Sequence, residues 1–438
     1  MEINLLRLSK KEIVIFLILS GFLGSGLSYG KLYLYHIVLF CAAGVFIFFN
    51  LTKVNFSNMK SNHHIIFPII FIWYAFSILW SPDRLNSVTY LGYISLGIIF
   101  TYTIIFYNGD EKSLRLLFNL CSFLFIAEII LGVTETTGLF RWPISPYSPL
   151  VTYFGKEKGF DLTKEQKILS ILMRMPTGFR WNPNNYATTL NILLPFIIFI
   201  KKRIRFALIS VILFLIIMDG SRGSIITYFI ILLVYLILYK KKGWKSFTAI
   251  TSLMTKISII TFDFLKRSTN NKIQLLFNVF QALKLYLFNS NESIGSISTR
   301  TRLIRNGMDA LYRNYGLGIG GGASNFIQKQ AGNTRGITSM HNFWIEILVE
   351  GGIIFFLIFV IWYIKMVRDL IIISKRSANP FINYLAKSIS LSLIGFVFGA
   401  ISPSTVIYFF PMWGLFGFAI SVINLYRVEI IYENNSFI

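Results

Sequence analysis

Met340-His-Asn-Phe-Trp-Ile-Glu-Ile-Leu-Val-Glu350-Gly-Gly-Ile-Ile-Phe-Phe-Leu-Ile-Phe-Val360-Ile-Trp-Tyr-Ile-Lys365 is the stretch that decides the fold. From residue 345 to about 367 it is an almost unbroken apolar run, the length a helix needs to cross a bilayer. A polar His-Asn pair opens it and basic residues close it, at Lys365, Arg368, Lys375 and Arg376. Runs of this kind recur along the chain, near 13–28, 33–50, 65–80, 88–106, 114–133, 187–200, 204–219, 223–240, 247–263, 384–403 and 407–427. With 345–367 they make about twelve expected spans.

The composition agrees. Of 438 residues, 55% are hydrophobic and 17% aromatic, and the mean hydropathy is +0.63. Charged residues are 14% of the chain, against roughly 25% in a soluble domain. The expected fold is an all-α polytopic integral membrane protein, a single transmembrane domain over 1–438. The first run follows Arg7, Lys10 and Lys11 as a signal peptide would, but it lacks a small-residue cleavage site and a second run follows at once. It is read as a retained helix. Cys41 and Cys121 both fall inside apolar runs and read as small buried hydrophobes.

The net charge of +23 follows topology and gives no reason to expect nucleic acid. Placing the N-terminus in the cytoplasm puts Arg7/Lys10/Lys11, Lys53/Lys60, Lys112, Lys201–Arg205, Lys240–Lys245 and Lys365–Arg376 all inside. The short outer loops then carry only Lys31, Arg84 and Arg222. Two long loops lie outside, 134–186 and 264–344. The second is basic, and its apolar residues Ile273, Leu276, Phe280, Leu283 and Leu287 recur at helical spacing. It is expected to hold amphipathic helices at the outer interface.

Four motifs face that outer side. The first is Pro176-Thr-Gly-Phe-Arg-Trp-Asn-Pro-Asn-Asn-Tyr186, where Arg180, Asn182 and Asn184 offer a guanidinium and amides to sugar or phosphate. A helix-capping turn explains the same residues. The second is Asp219-Gly-Ser-Arg-Gly-Ser224, a tight turn that brings Arg222 out at the bilayer surface. A guanidinium matches phosphate oxygens with a planar fork, and a lipid snorkel or a salt bridge to Asp219 explains the turn as well. The third is Ser298-Thr-Arg-Thr-Arg302, continuing to Arg305, then Gly316-Leu-Gly-Ile-Gly-Gly-Gly-Ala323. The glycine run lacks the Gly-Lys-Ser/Thr of a P-loop and reads as a flexible turn. The fourth is the opening stretch, where His341 alone among the histidines starts an outer span. Imidazole titrates near neutrality and can take a proton from a hydroxyl. An interface histidine is its ordinary alternative. No cluster with metal-ligand spacing accompanies it, so no metal or cofactor is expected.

Taken in order, these motifs resemble the O-antigen ligase / O-antigen polymerase superfamily of bacterial surface-polysaccharide enzymes. Phe179 to Asn184 looks like its Phe-x-Asn-Pro-Asn turn and Gly220 to Gly223 like its Gly-Ser-Arg-Gly turn. Arg300 stands eighteen residues before Gly318, as the family's loop arginine stands before its Gly-x-Gly. His341, Asn342, Glu350 and Gly352 look like its last motif. The tryptophan often found four residues after the loop arginine is here Ile304. That leaves Arg300 and Arg302 as alternatives, with spacing favouring Arg300.

The resemblance implies a GT-C-like membrane glycosyltransferase in the bacterial plasma membrane, with its active site on the extracytoplasmic face. It would work by metal-independent, inverting transfer from an oligosaccharide on undecaprenyl diphosphate. His341, Arg222 and Arg300 would be catalytic. Arg180, Asn182, Asn184, Arg302, Arg305 and Asn342 would bind substrate. The expected partners are the lipid-linked donor, a glycan acceptor, membrane lipids, a flippase and a chain-length regulator. A repeat-unit polymerase is the leading expectation, since the AT-rich residue usage favours a source without lipid A core. A ligase, and outside the family a flippase of the same lipid-linked units, are the alternatives.

Overall fold

The computed structural model describes residues 10–48, 59–159, 172–200, 203–240, 290–405 and 407–435. Helices occupy each expected span within that set: α1 (Lys10–Leu23), α2 (Leu34–Phe48), α3 (Ile66–Ser77), α4 (Arg84–Tyr107), α5 (Glu111–Thr137), α6 (Pro183–Ile198), α7 (Ile204–Asp219), α8 (Arg222–Tyr239), α11 (Phe343–Arg376), α12 (Pro380–Gly399) and α13 (Phe410–Asn435). Two more, α9 (Ser290–Arg313) and α10 (Ser324–Ala331), lie in the second long loop. The expected span 247–263 and the amphipathic pattern of 273–287 fall outside the described residues.

Six of these helices, α4, α5, α8, α11, α12 and α13, are long and apolar enough to cross a membrane. The protein is a multi-pass membrane protein. Helices α1, α2, α3, α6 and α7 have 12 to 16 residues. At 1.5 Å per residue they rise about 18–24 Å, short of the roughly 30 Å hydrocarbon layer.

Local sequence explains where the helices begin and end. Asp83, Asp110, Asn182, Asn342 and Asn379 accept from the first backbone N–H groups of α4, α5, α6, α11 and α12. These groups have no partner inside the helix, so a short side-chain oxygen at the cap satisfies them. Pro183 and Pro380 follow their caps at the position where a missing N–H costs nothing. Gly138 and Gly220 stop α5 and α7 in the left-handed conformation that glycine adopts without strain.

Two apolar cores form. One joins α1 to α5 with α11 to α13, and the other joins α6, α7 and α8. Helix α12 bridges them: Leu391 belongs to the second core and Leu393 to the first. It packs along α11, α6 and α8. Large apolar side chains such as Phe40, Phe71, Phe123, Ile226, Ile237 and Ile354 face outward, as expected where the surroundings are lipid.

Helix α11 is not continuous. Gly352 sits at φ 83°, ψ 171°, a break inside the helix. The glycine run fills that break: Ile319 N–H donates to the Val349 carbonyl, Gly320 N–H to Glu350, and Ile353 N–H to Gly316. A Cβ on Gly318 would lie 2.5 Å from the Glu350 carbonyl oxygen, and one on Gly352 would lie 2.4 Å from the Leu317 carbonyl carbon. The run expected to be a flexible turn is a backbone dock, with Trp80 also donating to the Gly318 carbonyl.

The apolar run read as 384–403 also ends early. Helix α12 stops at Gly399, and α13 starts at Phe410 rather than 407. The residues between form a turn, and the candidate site is built on it.

Candidate active site

The turn Ser402-Pro-Ser-Thr405 is polar and largely buried. Three of the motifs converge on it. His341 N–H donates to the Ser404 carbonyl at 3.2 Å, and its Nδ1 lies 3.4 Å from the Ser402 carbonyl. Asn182 Nδ2 donates to Ser404 Oγ at 3.3 Å. Ser221 Oγ donates to Ser224 Oγ at 3.0 Å and lies 3.4 Å from Ser402 Oγ. Gly223 packs so tightly on Ser402 that a Cβ there would come within 2.3 Å of its hydroxyl. A larger residue there would force the Ser402 side chain to shift, because two turns meet.

The turn is held from below by α11. Glu346 Oε1 accepts from Thr405 Oγ1 at 2.8 Å and from the Tyr90 hydroxyl at 3.0 Å. One helical turn on, Glu350 Oε1 accepts from Ser324 Oγ at 2.6 Å. Both carboxylates are fully buried. They tie the turn, α4 and the start of α10 to the helix that carries His341.

His341 has a positive φ of 50°, rare for a side chain with a Cβ. The conformation is fixed by its two contacts with the turn and by Asn342, whose side chain accepts from Trp344 and Ile345 N–H. Nδ1 meets a carbonyl, so it is the protonated nitrogen and Nε2 carries the lone pair. Burial pulls His341 below the usual imidazole range, the positive charge of Arg300 pulls it further, and the Ser402 carbonyl partly opposes both. Burial and Arg300 both favour the neutral ring, the form that can accept a proton.

Arg300 lies on the inward face of α9, three and seven residues before the buried Leu303 and Gly307. Arg302 and Arg305 are exposed on other faces, and Arg302 donates to the Asn333 carbonyl. Of the two alternatives, Arg300 is therefore the one turned toward the molecule, and it acts electrostatically on His341. Arg222 is exposed at the first position of α8, next to Ser221 and Gly223, which touch the turn. The salt bridge to Asp219 does not form: neither oxygen of that buried carboxylate has a hydrogen-bond partner among the described residues.

Residues 191–360 match the family model described as O-antigen ligase. The chain is also similar to the teichuronic acid biosynthesis protein TuaE of Bacillus subtilis (strain 168), at 23% identity over 425 residues, 93% of this chain and 82% of that protein. The resemblance to the O-antigen ligase family holds. The matched segment carries Arg222, Arg300 and His341, but neither the 176–186 turn nor the 402–405 turn.

Two groups expected to bind substrate are placed otherwise. Arg180 is buried; it donates to Glu128 Oε2 at 2.9 Å and to the Phe22 carbonyl at 2.7 Å. The guanidinium neutralises a carboxylate in the middle of α5 and does not face the site. Asn342 spends its carbonyl oxygen on capping α11. Asn182 caps α6 through Oδ1 while its amide reaches Ser404, so it serves both helix and site. Asn184 is half-buried in the first turn of α6. The Ser402-Pro-Ser-Thr405 cluster is a turn signal in itself, but it lies between Ile401 and Ile407, and the expected span 384–403 took in its first two residues.

Proposed function

We propose that the protein is a membrane polymerase of lipid-linked oligosaccharide repeat units for a surface polysaccharide. The observation that carries this reading is the convergence of the His341, Arg222 and Asn182 motifs on one buried turn, with Arg300 acting on the same imidazole. In the reaction, an acceptor sugar hydroxyl attacks the anomeric carbon of the donor. The bond from that carbon to the phosphate oxygen breaks, and undecaprenyl diphosphate leaves with the electron pair. His341 Nε2 takes the hydroxyl proton. Arg222 and Arg300 stabilise the charge growing on the leaving diphosphate, a role that demands fixed positive groups beside a desolvated site. The transfer is inverting, metal-independent and set at the extracytoplasmic face. It sits within about twelve spans of GT-C-like arrangement, with both termini in the cytoplasm and 264–344 as the catalytic loop. The family description supports the polysaccharide chemistry, as does the relative named for teichuronic acid biosynthesis.

That family description also favours a second reading, a ligase that hands finished glycan to another acceptor. One experiment separates them. A deletion strain is complemented with wild type or with His341→Ala, membrane expression is checked, and lipid-linked glycans are sized. Polymerase chemistry leaves only single lipid-linked units in the variant. A ligase leaves long lipid-linked polymer untransferred. A variant that behaves as wild type removes His341 from the chemistry and raises the flippase alternative.

A further inference from the structure

Beside the turn lies a cavity of about 510 Å³ whose lining includes Asn182 and Ser404. It is thus one residue away from the groups that hold His341. Beside Trp181, Asn182 and Asn185 of the first motif, its walls come from elements that no motif pointed to. A two-stranded hairpin, β1 (Ser28–Tyr29) and β2 (Leu32–Tyr33), contributes Lys31 and Tyr33. The first outer loop contributes Lys156 and is fastened there: Gly30 N–H donates to the Phe154 carbonyl at 2.7 Å, and Trp142 Nε1 to the Gly26 carbonyl at 2.7 Å. Tyr93, Trp181 and Tyr408 supply further aromatic rings.

The polar groups of this cavity are set up for a ligand. Lys156 Nζ lies 4.6 Å from the centre of the Trp181 ring and donates to the Ser25 carbonyl at 3.3 Å. Among the described residues no carboxylate pairs with it. Burial pushes its ammonium down to about 8, and this half-buried cation has a ring and one carbonyl as company among the described residues. Asn185 Oδ1 is buried at the cavity without a hydrogen-bond partner. His36 Nδ1 accepts from Tyr33 N–H at 3.1 Å, which leaves its proton on Nε2 as a donor. The ring stacks on Tyr33 with centroids 5.2 Å apart. Lys31 is exposed at the rim, and Glu157, also exposed, is the one carboxylate of the lining.

Aromatic faces, amide and imidazole donors, and an ammonium that no carboxylate pairs with among the described residues together describe a saccharide subsite with a place for a negative group. A pyranose packs its C–H face on aromatic rings and presents hydroxyls to amides and imidazoles. We propose that this cavity binds a sugar of the lipid-linked glycan that carries a carboxylate, with Lys156 as the residue that reads it and Lys31 as a second cation at the rim. The proposal rests on the glycosyl-transfer reading for the glycan's presence here, and its test does not use transfer.

Binding is measured by saturation-transfer NMR on the full-length protein in detergent. Glucuronate, galacturonate and mannuronate are compared with glucose, galactose and mannose. The wild type should favour at least one uronate over its neutral partner by about tenfold, the scale of one charge-assisted hydrogen bond. Lys156→Gln should bind that pair alike, with the neutral sugar unchanged. Lys156→Arg should keep the preference, which excludes misfolding as the cause. Lys31→Gln should reduce the preference without abolishing it. Equal binding of all pairs by the wild type, no binding of any, or a preference that survives Lys156→Gln overturns the proposal. Displacement of the uronate by inorganic phosphate at similar concentration also overturns it, in favour of a phosphate group in the cavity. His341→Ala should bind as the wild type does. If that variant still polymerises glycan, the role of His341 as base fails while this result stands; if polymerisation is lost but no uronate preference is seen, this proposal fails while that role stands.

Discussion

At the scale of single residues, the proposed mechanism depends on His341 being neutral and oriented. Two forces favour the neutral ring, burial and the charge of Arg300. The sign of the resulting pH dependence follows. A general base works in its unprotonated form, so activity falls as pH drops through its pKa. Lowering that pKa moves the acid limb to lower pH. Arg300→Gln removes one lowering influence, so the acid limb should shift to higher pH along with a loss of rate. Arg300→Lys should restore the limb better than the rate, since an ammonium keeps the charge and loses the planar fork. A rate-versus-pH profile on purified protein checks this, and an unmoved limb would detach Arg300 from His341. Arg180 makes a contrasting prediction. It and Glu128 are both buried, and removing one partner of such a pair costs about 3–5 kcal/mol because the other charge is stranded. Arg180→Met should lower the unfolding midpoint strongly, and Arg180→Met with Glu128→Leu should recover much of it. A substrate role would instead raise KM with stability intact.

At the scale of elements, the glycine dock decides where α9 stands. The run 316–320 pairs by backbone with the break in α11, and the helix that carries Arg300 leads directly into it. Gly318→Ala should therefore move Arg300 away from His341 or prevent accumulation of the protein. Gly318 has a φ of +86° and its added Cβ would strike backbone, which does not yield as a flexible side chain would. Gly332→Ala serves as the control. It also has a positive φ, but nothing lies within 4 Å, so its cost should be roughly 1 kcal/mol. Comparing expression, unfolding midpoint and activity of the two variants checks the point. This element also shows what a sequence can and cannot tell. The apolar runs and the capping turn at Asn182–Asn184 were legible because each is set by local chemistry: a span must be apolar, and an open helix end needs an acceptor. The dock was not, because a glycine run looks the same whether it bends freely or fits against another backbone. Arg180 was visible as a guanidinium in a polar turn, but its pairing with Glu128 bridges 52 positions. The Ser402–Thr405 turn was hidden by its apolar flanks, so the residues that gather the site were the ones no motif marked.

At the scale of the whole molecule, the reading stands or falls on which side of the membrane the turn faces. The structure gives helices whose ends can be told apart chemically. Helix α11 begins beside His341 and ends in Lys375 and Arg376. Basic residues flanking spans tend to be retained on the cytoplasmic side, which is the ground for the proposal that His341, the 402–405 turn and the cavity with Lys156 lie outside. Cysteine accessibility tests this. Cys41 and Cys121 are first replaced by Ser and Ala. Single cysteines are then introduced as Gln330→Cys, exposed at the end of α10, and as Lys375→Cys, exposed at the far end of α11. In intact cells a membrane-impermeant maleimide should label the first and not the second, and permeabilisation should expose both. The opposite pattern would turn the site toward the cytoplasm. The donor would then meet the enzyme before any transfer across the membrane, and a surface polymerase would be excluded however well His341 and its arginines suit the chemistry. Labelling of both in intact cells would break the alternation of basic loops on which the orientation of every span depends.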